Sequence, residues 1–202
     1  MKKKTDRNYR KSTIKMIILS VLAILVVLVI VSAILGARRI HLRSETVVNL
    51  SQEQAWSFFQ DPHNLAKWDR SVARVEPTAP DPNNINVGYT FDTIAPPKSG
   101  QKEGLRMSYK VTALVPNQYA KISLLNSPMF KEAVWTLALE PAHGGTKVIS
   151  EVDFVPKPQY SFVVPILLLT SKNALGTDMD YLKAQMESYA ENRAIEAPLP
   201  KQ

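Results

Sequence analysis

The densest collection of reactive side chains in this 202-residue sequence is 61-DPHNLAKWDR-70, where Asp61, His63, Lys67, Asp69 and Arg70 lie within ten positions. An imidazole between carboxylates and cations suits general acid–base chemistry, because its ordinary pKa lies close to neutral pH. Local signals compete with that reading. Asp61-Pro62 has the form of a helix N-cap followed by proline at the first helical position, which puts His63 at the second position of a short helix ending near Trp68. No second histidine lies nearby, so His63 is expected to be a surface residue.

Other routes to chemistry are equally bare. His41 and His143 are isolated, and with no cysteine the chain has no disulfide, no thiol nucleophile and no thiolate metal site, so neither a metal nor a cofactor is expected. The sequence has no G-x-S-x-G elbow, P-loop, G-x-G-x-x-G or H-E-x-x-H. Gly144-Gly145 suits a hairpin. Glu132, Asp153, Arg106 and Lys110 fall on predicted strands in the outward phase. No catalytic residue is identified.

The elements that position these side chains begin with an uncharged run over 16–37, MIILSVLAILVVLVIVSAILGA, about 33 Å long as a helix and long enough to cross a bilayer. A cleaved signal peptide is the rival, since Val31-Ser32-Ala33 resembles a small-residue cleavage site, but the run exceeds the usual h-region of about 7–15 residues. Lys2, Lys3, Lys4, Arg7, Arg10, Lys11 and Lys15 precede it; Arg38, Arg39 and Arg43 follow. That asymmetry predicts a cytoplasmic basic N-terminus over 1–15 and an extracytoplasmic domain. Residues 1–43 carry net +9 and residues 44–202 net −2, so the chain's +7 belongs to the anchor and nucleic acid is not an expected partner.

Beyond the span, 40-IHLRSETVVNL-50 reads as a strand. Ser51 and Gln54 then fit a capping box opening a short helix whose apolar face carries Ala55, Trp56, Phe58 and Phe59. After the 61–68 corner, strands are predicted over 71–78, 86–94, 104–115, 118–126, 130–141 and 145–155, seven with the first, in one antiparallel sheet. Leu175, Met179, Leu182, Met186 and Tyr189 give a long C-terminal helix one apolar face, and 161-SFVVPILLL-169 ahead of it reads as a helix from about Gln159 bent at Pro165. Residues 194–202 read as a tail.

The order strand, two short helices, six strands, long helix resembles the helix-grip fold of the START-like (SRPBCC) superfamily, in its polyketide cyclase/dehydrase and lipid-transport branch. Local wording resembles it too, in 46-TVVNLSQEQAWSFFQDPHNLAKWDRSVARVE-76, in 135-WTLALEPAHGGTKV-148 and in 182-LKAQMESYAE-191. The resemblance covers about 44–193 and implies an α+β domain whose curved sheet grips the C-terminal helix around an apolar cavity. It places DPHNLAKW at the corner after the second short helix, with Trp68 packing the helix pair onto the sheet and Lys67 and Arg70 as solvated flanks.

Alternation along the predicted strands gives an inward face of Leu105, Met107, Tyr109, Val111 and Ala113, another of Trp135, Leu137 and Leu139, and Tyr89 and Phe91, Val148, Val152 and Phe154 on neighbouring strands. With the resemblance, the expected cavity residues are Trp68, Tyr89, Phe91, Met107, Tyr109, Trp135, Leu137, Phe154, Met179 and Leu182. The expected partner is a hydrophobic small molecule or lipid, with the membrane engaged through 16–37. A cyclase-like enzyme and an interaction module without ligand are the alternatives. The 161–169 stretch is expected to be either core or a lip beside the cavity mouth, close to lipid.

Overall fold

The computed structural model describes residues 2–36, 38–79, 81 and 85–196; for 2–13, 32, 33, 35, 36, 162, 163, 166, 167, 170–175 and 194–196 it describes the backbone alone. β1 (Ile40–Val48), β2 (Arg74–Pro77), β3 (Thr90–Ile94), β4 (Arg106–Val115), β5 (Tyr119–Asn126), β6 (Phe130–Ala142) and β7 (Gly145–Pro156) form one antiparallel sheet in the order β1-β7-β6-β5-β4-β3-β2. Helix α1 (Lys2–Gly36) precedes it; α2 (Gln52–Phe59) and α3 (Leu65–Trp68) interrupt it, and α4 (Val164–Glu196) follows. This is the α+β helix-grip arrangement that the element order predicts.

Local chemistry sets the corner. Ser51 accepts from the Gln54 N–H while the Gln54 side chain accepts from the Ser51 N–H, the reciprocal capping box. Asp61 accepts from the His63 N–H at 2.9 Å and Pro62 opens a 3-10 turn, Pro62–Asn64, that runs into α3. Asn64, buried, donates to Phe58 O at 2.7 Å and so ties the turn to the end of α2.

Several expected boundaries shift. The strand predicted from 86 starts at Thr90, because the Tyr89 N–H closes a turn on Asn86 O and Gly88 sits at φ +100°. The strand predicted from 104 starts at Arg106, and the first strand ends at Val48. Pro165 does not bend a helix: a 3-10 turn, Pro158–Val163, comes first, and Pro165 lies in the first turn of α4, where a missing N–H breaks no bond. The helix continues past 194, the start of the predicted tail, to Glu196; 197–202 lie outside the described residues.

Lys67 and Arg70 are more than solvated flanks. Lys67 Nζ lies 5.8 Å over the Tyr189 ring; Arg70 bonds Asp178 at 3.3 Å and covers Tyr181, so both reach α4. Trp56, Phe58, Trp68, Leu137, Leu139, Val148, Met179, Leu182 and Met186 form the main core beneath that contact. Leu175, expected on the same face, has a side chain outside the described residues.

The two ends of the sheet are distinct. Only residues 37–39 separate α1 from β1, so the ends of β7 and β5 and the starts of β6 and β4 lie at the α1 end. There Ile40, Phe154 and Val164 form a separate small core, with Phe130 edge-on to Phe154 at 5.2 Å. Val48, nine residues along β1, marks the other end, about 26 Å away. The stretch Ile14–Val31 of α1 is apolar enough to cross a membrane and none of it is buried. The 3-10 turn Pro158–Val163 and α4 lie beside α1.

Candidate ligand cavity

At the end of the sheet away from α1, a cavity of about 140 Å³ lies between the sheet and the α2–α3 corner. Its floor is a run of cross-strand neighbours: Val111 pairs Ile122, which pairs Trp135, and Leu114 pairs Ala120, which pairs Leu137. Phe91 extends the floor. Its roof is Trp56, Phe58, Phe59, Leu65 and Trp68. The Trp68 and Trp135 rings lie 5.6 Å apart at 50°, joining roof to floor, and Trp135 Nε1 donates to Ser150 Oγ at 2.7 Å, which leaves its ring face to the cavity without an unpaired donor.

A β-bulge determines which β4 residues face inward. Val111 pairs Ile122 but Ala113 pairs Lys121, so Thr112 is an extra residue; it is exposed and its hydroxyl lies 3.2 Å from Ser123 Oγ. The extra residue inverts the alternation. Leu114 therefore lines the cavity in place of the expected Ala113. Leu105, expected inward, is 39% exposed and lies before the strand begins.

Of the ten expected cavity residues, Trp68, Tyr89, Phe91, Trp135 and Leu137 lie in the lining. Tyr109 stacks on Phe91 at 5.5 Å and its hydroxyl donates to Met107 Sδ at 3.7 Å, so both residues sit behind the wall. Phe154 belongs to the core at the α1 end. Met179 and Leu182 pack directly into the main core, and no described residue of α4 lines the cavity. The space thus lies under the short helices, where the expectation placed it between sheet and C-terminal helix. The long helix packs along β1 and against α2 and α3, and Met179, Leu182 and Met186 share the main core with Trp56, Phe58 and Trp68. The apolar face of α2 was the available signal for the roof.

Gln60, Asp61 and Asn64 give the lining a polar end beside Tyr89. Burial pushes the Tyr89 phenol above its ordinary pKa, and the charges of Asp61 and Asp81 add to that. His63 is exposed, its Nδ1 2.9 Å from Asp61 Oδ1. Asp69, just past Trp68, accepts from the Ser71 N–H and hydroxyl at 2.9 and 2.6 Å; burial raises its pKa despite those bonds, with Asp178 contributing. Glu132, Asp153 and Arg106 pair on the outer face with Arg39, His41, Glu76 and Asp92. Among the described residues no cluster of His, Asp or Glu is placed to hold a metal ion.

The 161–169 stretch lies at the α1 end, opposite the cavity, so it is no lip of this mouth. Ser161 and Val164 are buried while Leu168 and Leu169 are 39% and 81% exposed; the side chains of Val163 and Leu167 lie outside the described residues.

Residues 39–191 match a family model described as polyketide cyclase/dehydrase and lipid transport. No curated protein matches the chain in sequence. Among solved structures, the Zhui aromatase/cyclase from Streptomyces sp. R1128 is similar with a TM-score of 0.59 at 13% identity over 78% of this chain and 96% of its own. Ara h 8.0201 gives 0.55 at 13% identity over 77% and 99%. The di-domain ARO/CYC StfQ from the steffimycin biosynthetic pathway gives 0.57 at 14% identity over 77% of this chain, which spans about half, 52%, of that protein. At these identities the likeness is one of fold.

Proposed function

The chain belongs to the polyketide cyclase/dehydrase and lipid transport family, and from that premise we propose that the domain binds a small hydrophobic molecule, or the hydrophobic end of a lipid, in the cavity under α2 and α3. The observation that supports this most directly is the cavity itself: a floor of Phe91, Val111, Ile122, Trp135 and Leu137, a roof of Trp56, Phe58 and Trp68, and polar groups at one end only.

Size and energy narrow the reading. A dry cavity of about 150 Å³ takes one benzene ring, so 140 Å³ suits a single ring or a short piece of chain. A ring burying about 200 Å² of surface gains roughly 5 kcal/mol at 25 cal/mol per Å². Association costs remove much of that. A larger ligand needs the corner to open, and a tightly held one needs more than apolar contact.

The anchor reading complements this. Seven Lys/Arg before the span and three soon after it favour a cytoplasmic N-terminus and a domain outside the cytoplasm. With α1 in a bilayer, the cavity faces away from that surface, which suits exchange with the aqueous side or a second partner rather than direct entry from the surrounding leaflet. The cyclase-like alternative draws on the same polar end, which is suited to orienting a flexible chain. It expects Asp61→Asn or Asn64→Ala to change product distribution with a poly-β-ketone substrate, and a chain that turns over none sinks it.

All three tryptophans line the cavity and none is in the span. Full-length protein in vesicles therefore reports occupancy through its own fluorescence. A water-soluble brominated hydrophobe should quench it saturably; a linear, unsaturable response would defeat the cavity-binding reading.

A further inference from the structure

The leucines that the fold leaves outside gather at one end. Beyond α1, every exposed leucine among the described residues, Leu105, Leu125, Leu168 and Leu169, lies at the end of the sheet where the chain leaves α1. Leu169, 81% exposed, is five residues past Val164 of the small core there. Leu125, 56% exposed, is the extra residue of a bulge, since Leu124 pairs Tyr109 and Asn126 pairs Ser108. A bulge re-aims a side chain, and this one leaves a leucine out of the core.

Charge at the same end is unbalanced. Glu132 is matched by Arg39, Asp153 by His41, and Glu103 by Arg74 and Arg106. Lys98 and Lys102, between β3 and β4, and Lys131 are exposed, and no described residue pairs with them. Lys131 is also a bulge residue, between Phe130 opposite Pro156 and Glu132 opposite Val155. Exposed leucines beside surplus cations suit the surface of an anionic bilayer, where apolar side chains enter the boundary of head groups and acyl chains and lysines reach phosphates. The chain itself brings that surface near. Only residues 37–39 lie between α1 and β1, and the 3-10 turn Pro158–Val163 lies beside α1, so with α1 in a bilayer this end stays close to the lipid.

We propose that the α1 end of the domain docks on an anionic bilayer surface, with Leu125 and Leu169 in the lipid boundary and Lys98, Lys102 and Lys131 on head-group phosphates. The proposal rests on the anchor reading above and adds a second, peripheral contact to it. A docked domain holds the far end of its sheet, with the cavity, up to about 26 Å from the lipid, instead of swinging about residues 37–39.

The chain has no cysteine, so one introduced thiol carries one label. Leu125→Cys, Leu169→Cys and, at the opposite end, His143→Cys replace exposed residues that the core does not use. Each is labelled with an environment-sensitive fluorophore in full-length protein reconstituted into phosphatidylcholine vesicles containing phosphatidylglycerol and a nitroxide-labelled lipid. Labels at 125 and 169 should shift to the blue and be quenched, while the label at 143 is not. Lys98→Glu, Lys102→Glu and Lys131→Glu together, or omission of phosphatidylglycerol, should bring quenching at 125 down to the level at 143. Protein that stays with the vesicles through alkaline washing, with the label at 125 or 169 quenched no more than that at 143, overturns the proposal and leaves the anchor standing. Quenching at 125 that ignores both the lysines and the lipid charge overturns it equally. Protein that washing strips from the vesicles overturns the anchor reading and the proposal together.

Discussion

At the end where the chain leaves α1, the sheet is closed by Ile40, Phe154, Phe130 and Val164, with side chains filling the space between β1, β6, β7 and the start of α4. At the other end the same sheet is roofed by α2 and α3 and about 140 Å³ stays open. The difference lies in what covers the strands. The long helix packs along β1 and against α2 and α3, and its Met179, Leu182 and Met186 fill one core with Leu137, Leu139 and Val148. The eight-residue α2, the 3-10 turn and the single turn of α3 cover the cavity instead, over a floor that includes Val111 and Leu114 on either side of the β4 bulge. Space in this fold arises where short elements meet an irregular strand.

The comparison is broken most severely by removing one end. Deleting residues 1–37 should move the protein entirely from the membrane pellet to the supernatant after alkaline washing, while tryptophan quenching by a brominated hydrophobe is unchanged. A truncated chain that folds but no longer responds would show that the ends are coupled. A reporter active only in the cytoplasm, fused after Gln202, should stay silent; activity there would reverse the topology.

Next in size are paired aromatic truncations. Trp68→Ala and Phe154→Ala each remove a buried ring, 6% and 4% exposed, and each should cost about 3–5 kcal/mol in denaturant unfolding. Only Trp68→Ala should also change probe affinity, since Phe154 is in the other core. Equal loss of binding in both would mean that the cavity is not confined to the α2–α3 end.

A smaller effect is expected at Gly145, which sits at φ +153° in the β6–β7 hairpin, with the position of a Cβ 2.0 Å from Val48 O. Gly145→Ala should destabilise by about 1–3 kcal/mol and, by displacing the strand end that leads to α2, weaken probe binding too. Unaltered melting would show that the hairpin relaxes freely.

The least change is expected from Asp69→Asn. Because burial raises the Asp69 pKa in the fold, the protonated form is favoured there, so its stabilising contribution is complete below the unfolded value and is lost as pH rises through the folded one. Asparagine keeps the Oδ1 acceptor for Ser71 and removes that loss. Thermal melts across the acidic range should show the variant gaining on the parent as pH rises; a constant offset would mean that Asp69 carries no such linkage.

Much of this was legible in the chain. The capping box at Ser51, the cap at Asp61 and the alternation that makes Trp135 and Leu137 inward are short-range features, and each reads directly from residue types a few positions apart. Leu114 was not legible, because one unpaired residue, Thr112, inverts the phase and nothing in VTALV announces it. The place of the cavity was also missed. Met179 and Leu182 look alike as core or as lining until their neighbours are known, and here those neighbours are Trp56, Phe58 and Trp68.

The sequence by itself determined the apolar span, the charge step across it, the order of elements and hence the helix-grip fold, since these follow from local hydrophobic period and turn chemistry. The tertiary structure alone decided that the open space lies at the end of the sheet away from α1, and that Leu105, Leu125, Leu168 and Leu169 stay exposed at the end beside it. Both depend on which surfaces meet across more than fifty residues of chain, and on how well those surfaces fill the volume between them, a property of pairs of elements that no single segment contains.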